Sequence, residues 1–333
     1  MRRSLQQQIT TNKRASVVYA ALLVLLLSAF GTAITGYYHP SAWILGALGS
    51  AILGLIVALV ARYSGSKIVL SIAQARNATP FEQQVLDNVA EEMAIAAGIP
   101  KPRVMIVDDE APNAFATGAS PETATVVFTT GLIRKLNRDE LQGVMAHEIA
   151  HIRNYDVRLM TMLAMVAGLI PMMADFFWRS NFWGGRRSSS KNDSSGMLFL
   201  ILTVALAILA PIFAKMLELA VSRKREYLAD ASAAELTRYP EGLASALEKI
   251  STDTDVLDAR NRATEHMYIV NPFRPREERE ASLFSTHPPI RQRTHPPIRQ
   301  RINVLRNLMG SYPPRHLESP RESSIPPVVP DRS

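Results

Sequence analysis

The 333-residue chain contains no cysteine. Disulfides are therefore excluded, and so are thiolate metal ligands and a thiol nucleophile. Any transition metal must be held by His, Asp or Glu. Aromatic residues are also few, at 7%, and they are not interleaved with the basic residues as single-strand binding requires. The net charge of +7 thus does not point to nucleic acid. The basic residues flank long apolar runs and fill the C-terminal tail, which makes anionic lipid headgroups the simpler partner.

Charge is missing altogether from two stretches. Val17 to Tyr37 is an uncharged run of 21 residues, and Ala42 to Ala61 is another of 20. A helix needs roughly 20 apolar residues to cross a bilayer. The first run is too long and too late for the core of a signal peptide, and a second span follows almost at once. The pattern predicts a basic N-terminus over residues 1–16 and a transmembrane hairpin over 17–61. Arg2, Arg3, Lys13 and Arg14 precede it, Arg62, Lys67 and Arg76 follow it, and the connection Tyr38-His39-Pro40-Ser41 has no Lys or Arg. The positive-inside rule places both ends in the cytoplasm. Two further apolar runs, 159–174 and 197–214, each carry a proline near the end. Their connection holds Arg179, Arg186, Arg187 and Lys191, which resists export. They either cross or form a hairpin on the cytoplasmic side.

His147-Glu148-Ile149-Ala150-His151 is the most informative stretch. Residues four apart on a helix lie roughly 40° apart around its axis, so both imidazoles leave one face. They can share one Zn²⁺, and Glu148 beside them can act on a metal-bound water. Asn137 and Glu140 upstream read as the N-cap and N3 of a capping box. Ala146, Ile149, Ala150 and Ile152 are apolar, as a buried helix requires.

Ahead of this helix, Thr79-Pro80-Phe81-Glu82 opens another, which Gly98 ends. Residues 104–107, 114–117 and 124–129 read as strands. Asn113-Ala114-Phe115-Ala116-Thr117-Gly118 is the candidate edge for a substrate backbone, with Asn113, Ala114, Phe115 and Ala116 as its binding residues. An ordinary small-residue strand fits that pattern equally. Downstream, Glu226 and Asp230 share a face of the helix that carries Ser222-Arg223-Lys224-Arg225-Glu226-Tyr227-Leu228-Ala229-Asp230. A catalytic zinc needs three protein ligands and an open position, and Glu226 can be the third. Asp230 can accept a hydrogen bond from the free ring nitrogen of a ligand histidine. His39 and His266 read as surface or interface residues.

The hairpin, NAFATG, HEIAHIRNYD, the apolar pair and SRKREYLAD together resemble the HtpX-type membrane zinc metalloproteases of the M48 peptidase family, over roughly residues 15 to 310. The resemblance implies a mostly α fold with a small β-sheet. It implies a zincin-like (gluzincin) metalloprotease domain over 62–310, with an N-terminal transmembrane hairpin and a second apolar helical pair. It implies His147, His151 and Glu226 as ligands of one Zn²⁺ and Glu148 as general base. It further implies a multi-pass protein of the bacterial inner membrane, with its active site in the cytoplasm and a role in quality control of damaged membrane proteins. A narrow processing peptidase and a non-catalytic scaffold are the alternatives, and the intact motif weighs against the second. One departure stands out. THPPIRQR occurs at 286–293 and again at 294–301, where the family has one block. A histidine of this block can stabilise the oxyanion, and His287 and His295 are equal candidates. Residues 311–333, rich in Pro, Ser and Arg, read as a disordered tail.

Overall fold

The computed structural model describes residues 5–161, 201, 204, 223–253, 255, 267–269 and 298–308. Most of both further apolar runs, His266, His287, His295 and residues 311–333 lie outside them.

The chain begins with two long helices, α1 (Leu5–Tyr38) and α2 (Trp43–Ile72), joined by a short 3₁₀ turn at Pro40–Ala42. His39, next to the turn, is exposed. Both helices are long and apolar enough to span a bilayer, over Ile9–Tyr37 and Trp43–Ile72. Leu25, Leu45, Ile52 and Leu55 point outward, as lipid-facing residues do, and an apolar surface of that extent is foreign to water. α2 does not stop where its uncharged run ends. It continues to Ile72, and its last turns bury Val69, Leu70 and Ala73 against Val107, Phe115, Val127 and Tyr268.

The remaining described elements are mostly helical, with one small sheet, as the family resemblance implies. β1 (Arg76–Asn77) precedes α3 (Pro80–Ala97), β2 (Arg103–Val107), β3 (Ala114–Thr117), β4 (Thr125–Thr129) and α4 (Thr130–Lys135). The strand order is β1-β2-β4-β3, so β3 forms one edge. β2 and β4 run parallel, whereas β1 is antiparallel to β2 and β3 to β4. The two-residue β1 is too short for any alternating pattern to announce it.

Then comes α5 (Arg138–Arg153), followed by α6 (Arg223–Thr237), α7 (Pro240–Thr252) and α8 (Ile298–Leu308). Local signals set the ends of α3 and α5. Thr79 and Glu82 form a reciprocal capping box, and Gly98 closes α3 in the left-handed region at φ 66°. Asn137 Oδ1 accepts from Glu140 N–H at 3.0 Å, and Glu140 Oε2 accepts from Asn137 N–H at 2.8 Å. Such a cap is worth about 1 kcal/mol. Glu140 does more than cap. It also accepts from Ser245 Oγ (2.6 Å) and Lys249 Nζ (2.8 Å) on α7, so this buried carboxylate fixes the start of α5 against α7.

α5 is buried on every side from Glu140 to Ala150. It has no solvent face because α3, β3, α6 and α7 surround it. Val144, Met145 and Ile149 pack with Leu86, Val89 and Met93 of α3, Val126 and Phe128 of β4, Leu243 and Leu247 of α7, and Ile302 and Leu305 of α8. Close approach to α7 depends on Gly143. A Cβ there would lie 2.5 Å from the backbone nitrogen of Leu243.

Gly143→Ala should therefore push α7 off α5 and destabilise the protein by about 1–3 kcal/mol. Thermal unfolding of the detergent-solubilised full chain measures this, and an unchanged midpoint would contradict so tight a crossing.

Candidate metal centre

α5 holds His147 and His151 one turn apart, and their rings meet edge to face with Nε2 atoms 3.2 Å apart. α6 brings Glu226 to the same point. Its two carboxylate oxygens lie 3.6 Å from His147 Nε2 and 3.5 Å from His151 Nε2. Among the described residues these three form the group able to hold a metal, with one donor atom from each inside 4.8 Å. Tetrahedral zinc with bonds of about 2.0–2.1 Å places its ligand atoms roughly 3.4 Å apart. The observed spacings fit that.

Both imidazoles present Nε2 because their other nitrogens are engaged. His147 Nδ1 donates to Asp230 Oδ1 at 3.0 Å, and His151 Nδ1 donates to Asp156 Oδ2 at 3.1 Å. Such partners fix the tautomer and aim of a ligand histidine. Asp156 reaches His151 because the chain turns sharply after α5. Asn154 caps the helix and Tyr155 sits in the left-handed region at φ 60°, which costs a residue other than glycine about 1–2 kcal/mol.

The acids need cations in turn. Arg301, on α8, is fully buried. It donates through Nε and Nη2 to the two oxygens of Asp230, at 2.8 and 2.7 Å. Its Nη1 lies 3.2 Å from Glu226 Oε2 and donates to the Ile269 carbonyl at 3.3 Å. Arg225 Nη1 lies 3.3 Å from Asp156 Oδ1. With neutral imidazoles, four carboxylates (Glu148, Asp156, Glu226, Asp230) and two guanidiniums (Arg225, Arg301) leave two negative charges in a buried site. A divalent cation balances them, and without one that excess is costly.

Titration follows the same logic. Burial would lower the pKa of both histidines, but the carboxylates outweigh it: Asp230 and Glu226 raise His147, and Asp156 and Glu226 raise His151 well above the usual imidazole value. Burial raises the Glu148 carboxyl. It would raise Asp230 too, but the Arg301 charge and the bonds from His147 and Arg301 bring Asp230 below the usual carboxylate range.

The structure thus gathers His147, Glu148, His151, Glu226 and Asp230. Asn113, Ala114, Phe115 and Ala116 lie on or beside the edge strand β3, all buried. Thr129 N–H donates to the Asn113 carbonyl, so by alternation Ala114 and Ala116 direct their backbone groups away from β4. Ala114 is already engaged. Its N–H donates to Asn113 Oδ1 at 3.0 Å, and its carbonyl accepts from Ile269 N–H at 3.0 Å. His287 and His295 lie outside the described residues. Sequence reasoning missed Asp156, Arg225 and Arg301. Arg301 carried a signal: it stands on the apolar stripe of Ile298, Ile302 and Leu305, where a lone cation needs a buried partner.

A sequence profile for peptidase family M48 matches residues 80–309. The protein named "Protease HtpX homolog" of Caldanaerobacter subterraneus subsp. tengcongensis is 44% identical over 297 residues, covering 88% of this chain and 96% of that one. Its namesake in Dictyoglomus turgidum is 45% identical over 290 residues, covering 86% and 92%. The crystal structure of S. mikatae Ste24p is a distant likeness, with TM-score 0.46 and 19% identity over 90% of this chain and 66% of that one.

Two outcomes are expected of this centre. A histidine raised in the fold stabilises the metal-free protein below the unperturbed imidazole value, about pH 6.5, and that contribution is lost as pH rises through the raised value. A metal needs the neutral ring. Zinc added to the metal-free protein at pH 7 should therefore release protons, and apparent affinity should rise with pH. Uptake in weak buffer without proton release would contradict this. Secondly, deleting 286–293 or 294–301 gives the same chain, and in it an arginine still precedes Ile302. That variant should cleave substrate normally, whereas Arg301→Ala, which leaves Asp230 buried without its cation, should lose about 3–5 kcal/mol of stability. An inactive deletion variant would show that the longer segment is required.

Proposed function

The chain belongs to peptidase family M48, through its HtpX branch, and from that premise we propose how it works and where. It is a membrane metalloprotease, so its substrates are proteins or peptides. The metal we propose is one Zn²⁺ per chain, held by His147, His151 and Glu226. Support comes from the donor set: two imidazoles, a carboxylate and no sulfur suit zinc among the common transition ions.

Zinc held by these residues would supply a water acidic enough to ionise at about pH 7 and a Lewis acid for the scissile carbonyl. The protein's own groups do the rest. Glu148 follows His147 on a helix buried on every side, and burial keeps its carboxyl more basic than in water. It takes a proton from the attacking water and gives it to the leaving amine. Asp230 and Asp156 keep the two imidazoles aimed as charge shifts during the reaction. A substrate strand can add to the β3 edge, where Ala116 carries the outward backbone groups beyond Ala114. It would meet Ile269 at Ala114, so the segment 267–269 borders the substrate or yields to it. His287 or His295 remains our candidate for the oxyanion.

We place the protein in a bacterial inner membrane with the active site in the cytoplasm. The basic residues on both flanks of the hairpin and the uncharged connection between its helices favour that orientation. A catalytic domain fused to the end of α2 meets its substrates at the bilayer surface, where tethering raises their effective concentration. Misfolded or damaged membrane proteins are the substrates this arrangement suits.

The observation that carries this reading is the convergence of His147, His151 and Glu226 on one point beside Glu148. Its test is Glu148→Gln in the full chain. Zinc content should stay at one per chain while cleavage of casein falls at least about 10²-fold. Near-normal cleavage by the zinc-loaded variant would remove Glu148 from the reaction.

A further inference from the structure

The metal centre is connected to the membrane hairpin by a chain of hydrogen bonds that the proteolytic mechanism does not use. Asn12 lies near the start of α1, five residues before the uncharged run, and is 7% exposed. Its Nδ2 donates to Asp156 Oδ1 at 2.7 Å and to the Asn154 carbonyl at 2.8 Å. Both partners are acceptors, so the amide group must face them with its nitrogen, and both its protons are used. Asp156 Oδ2 in turn accepts from His151 Nδ1 at 3.1 Å. Beside this link, Lys13 Nζ stands 4.0 Å over the Tyr155 ring. The first membrane helix therefore grips residues 154–156 at two adjacent points, of which only one leads to the metal.

We propose that Asn12 is a positioning residue for the metal centre: it holds Asp156 against His151, so the grip on the metal depends on the docking of the membrane helix. The proposal rests on His147, His151 and Glu226 being the ligands. Asp156 occupies the kind of outer position whose loss costs a metal site about 10–100-fold in affinity or activity. It is reached only through the turn at Tyr155, whose left-handed backbone is unfavourable and needs support from its surroundings. Asn12 supplies that support at both ends, binding the carbonyl before Tyr155 and the carboxylate after it. Arg225, 3.3 Å from the same carboxylate oxygen, balances its charge. The consequence is regulatory. A chain whose first helix is not seated holds His151 loosely and binds metal weakly, so the protease is fully loaded only when its hairpin is in place.

The test is zinc transfer from the full-length protein in nanodiscs to a competing chelator. Asn12→Ala should weaken zinc affinity about tenfold, the lower end of the range for an outer contact. Asn12→Asp, the same size but with an oxygen facing Asp156, should be at least as weak. Lys13→Ala breaks the neighbouring contact to Tyr155 and leaves Asp156 alone, so it should stay near wild type. Equal loss in Lys13→Ala would show that the effect does not run through the bond from Asn12 to Asp156, and the proposal would be wrong. A second measurement separates positioning from folding. In an Asp156→Asn background, Asn12→Ala should weaken zinc binding little further, whereas a merely structural asparagine would weaken both backgrounds alike. Unchanged zinc affinity in Asn12→Ala and Asn12→Asp, with the wild type holding one zinc, overturns this inference and leaves the protease reading intact. A wild type that holds no metal overturns both.

Discussion

Two histidines on one buried helix must aim the same ring nitrogen at one point, and most of the architecture follows from that requirement. Each imidazole is turned by a carboxylate on its far side, Asp230 for His147 and Asp156 for His151. Those carboxylates are buried, and a buried charge left without a partner costs several kcal/mol. Arg301 therefore comes from α8 to Asp230, while Arg225 and Asn12 come to Asp156. Four segments spread from residue 12 to residue 301 are held together by one set of buried carboxylates and their partners. Breaking such a pair costs about 3–5 kcal/mol, against about 1 kcal/mol for a helix cap. The charge network therefore outweighs local preference in fixing how α5, α6 and α8 meet, and the Asn12 amide adds α1 to it.

Much of the fold was legible because its signals are local. The helix period puts His147 and His151 on one face. The boxes at Thr79–Glu82 and Asn137–Glu140 mark helix starts within a residue, and the strands at 103–107, 114–117 and 125–129 follow short apolar runs between turn residues. The two uncharged runs announced the hairpin. The pairing of buried charges was not legible. Asn12 and Asp156 are 144 residues apart, and Arg301 and Asp230 are 71 apart, and no periodicity relates them. Asp156 stood in plain view five residues beyond His151, but only the left-handed Tyr155 brings it back to the ring. The continuation of α2 to Ile72 was hidden for another reason: Arg62 and Lys67 interrupt the uncharged run, and the stripe of Val69, Leu70 and Ala73 beyond them is too short to announce a helix by itself.

The sheet and the hairpin share a second core, in which α2 packs beneath β2, β3 and β4 through Val69, Leu70, Phe115 and Tyr268. The candidate substrate edge is thus fixed from below by the membrane helix and from the side by Ile269, which bonds both Ala114 and Arg301. α2, the candidate substrate edge and the candidate metal centre are joined by packing and hydrogen bonds. Under the proposed function, such packing would suit an enzyme whose substrates arrive along a bilayer.

Zinc K-edge absorption spectroscopy on the purified full-length protein tests the metal centre most directly. The expected result is one zinc per chain with nitrogen and oxygen neighbours only, including two imidazoles, and loss of that signal in a folded Glu226→Ala variant. A wild-type protein without zinc, or a coordination shell unchanged by Glu226→Ala, would contradict a centre built from His147, His151 and Glu226.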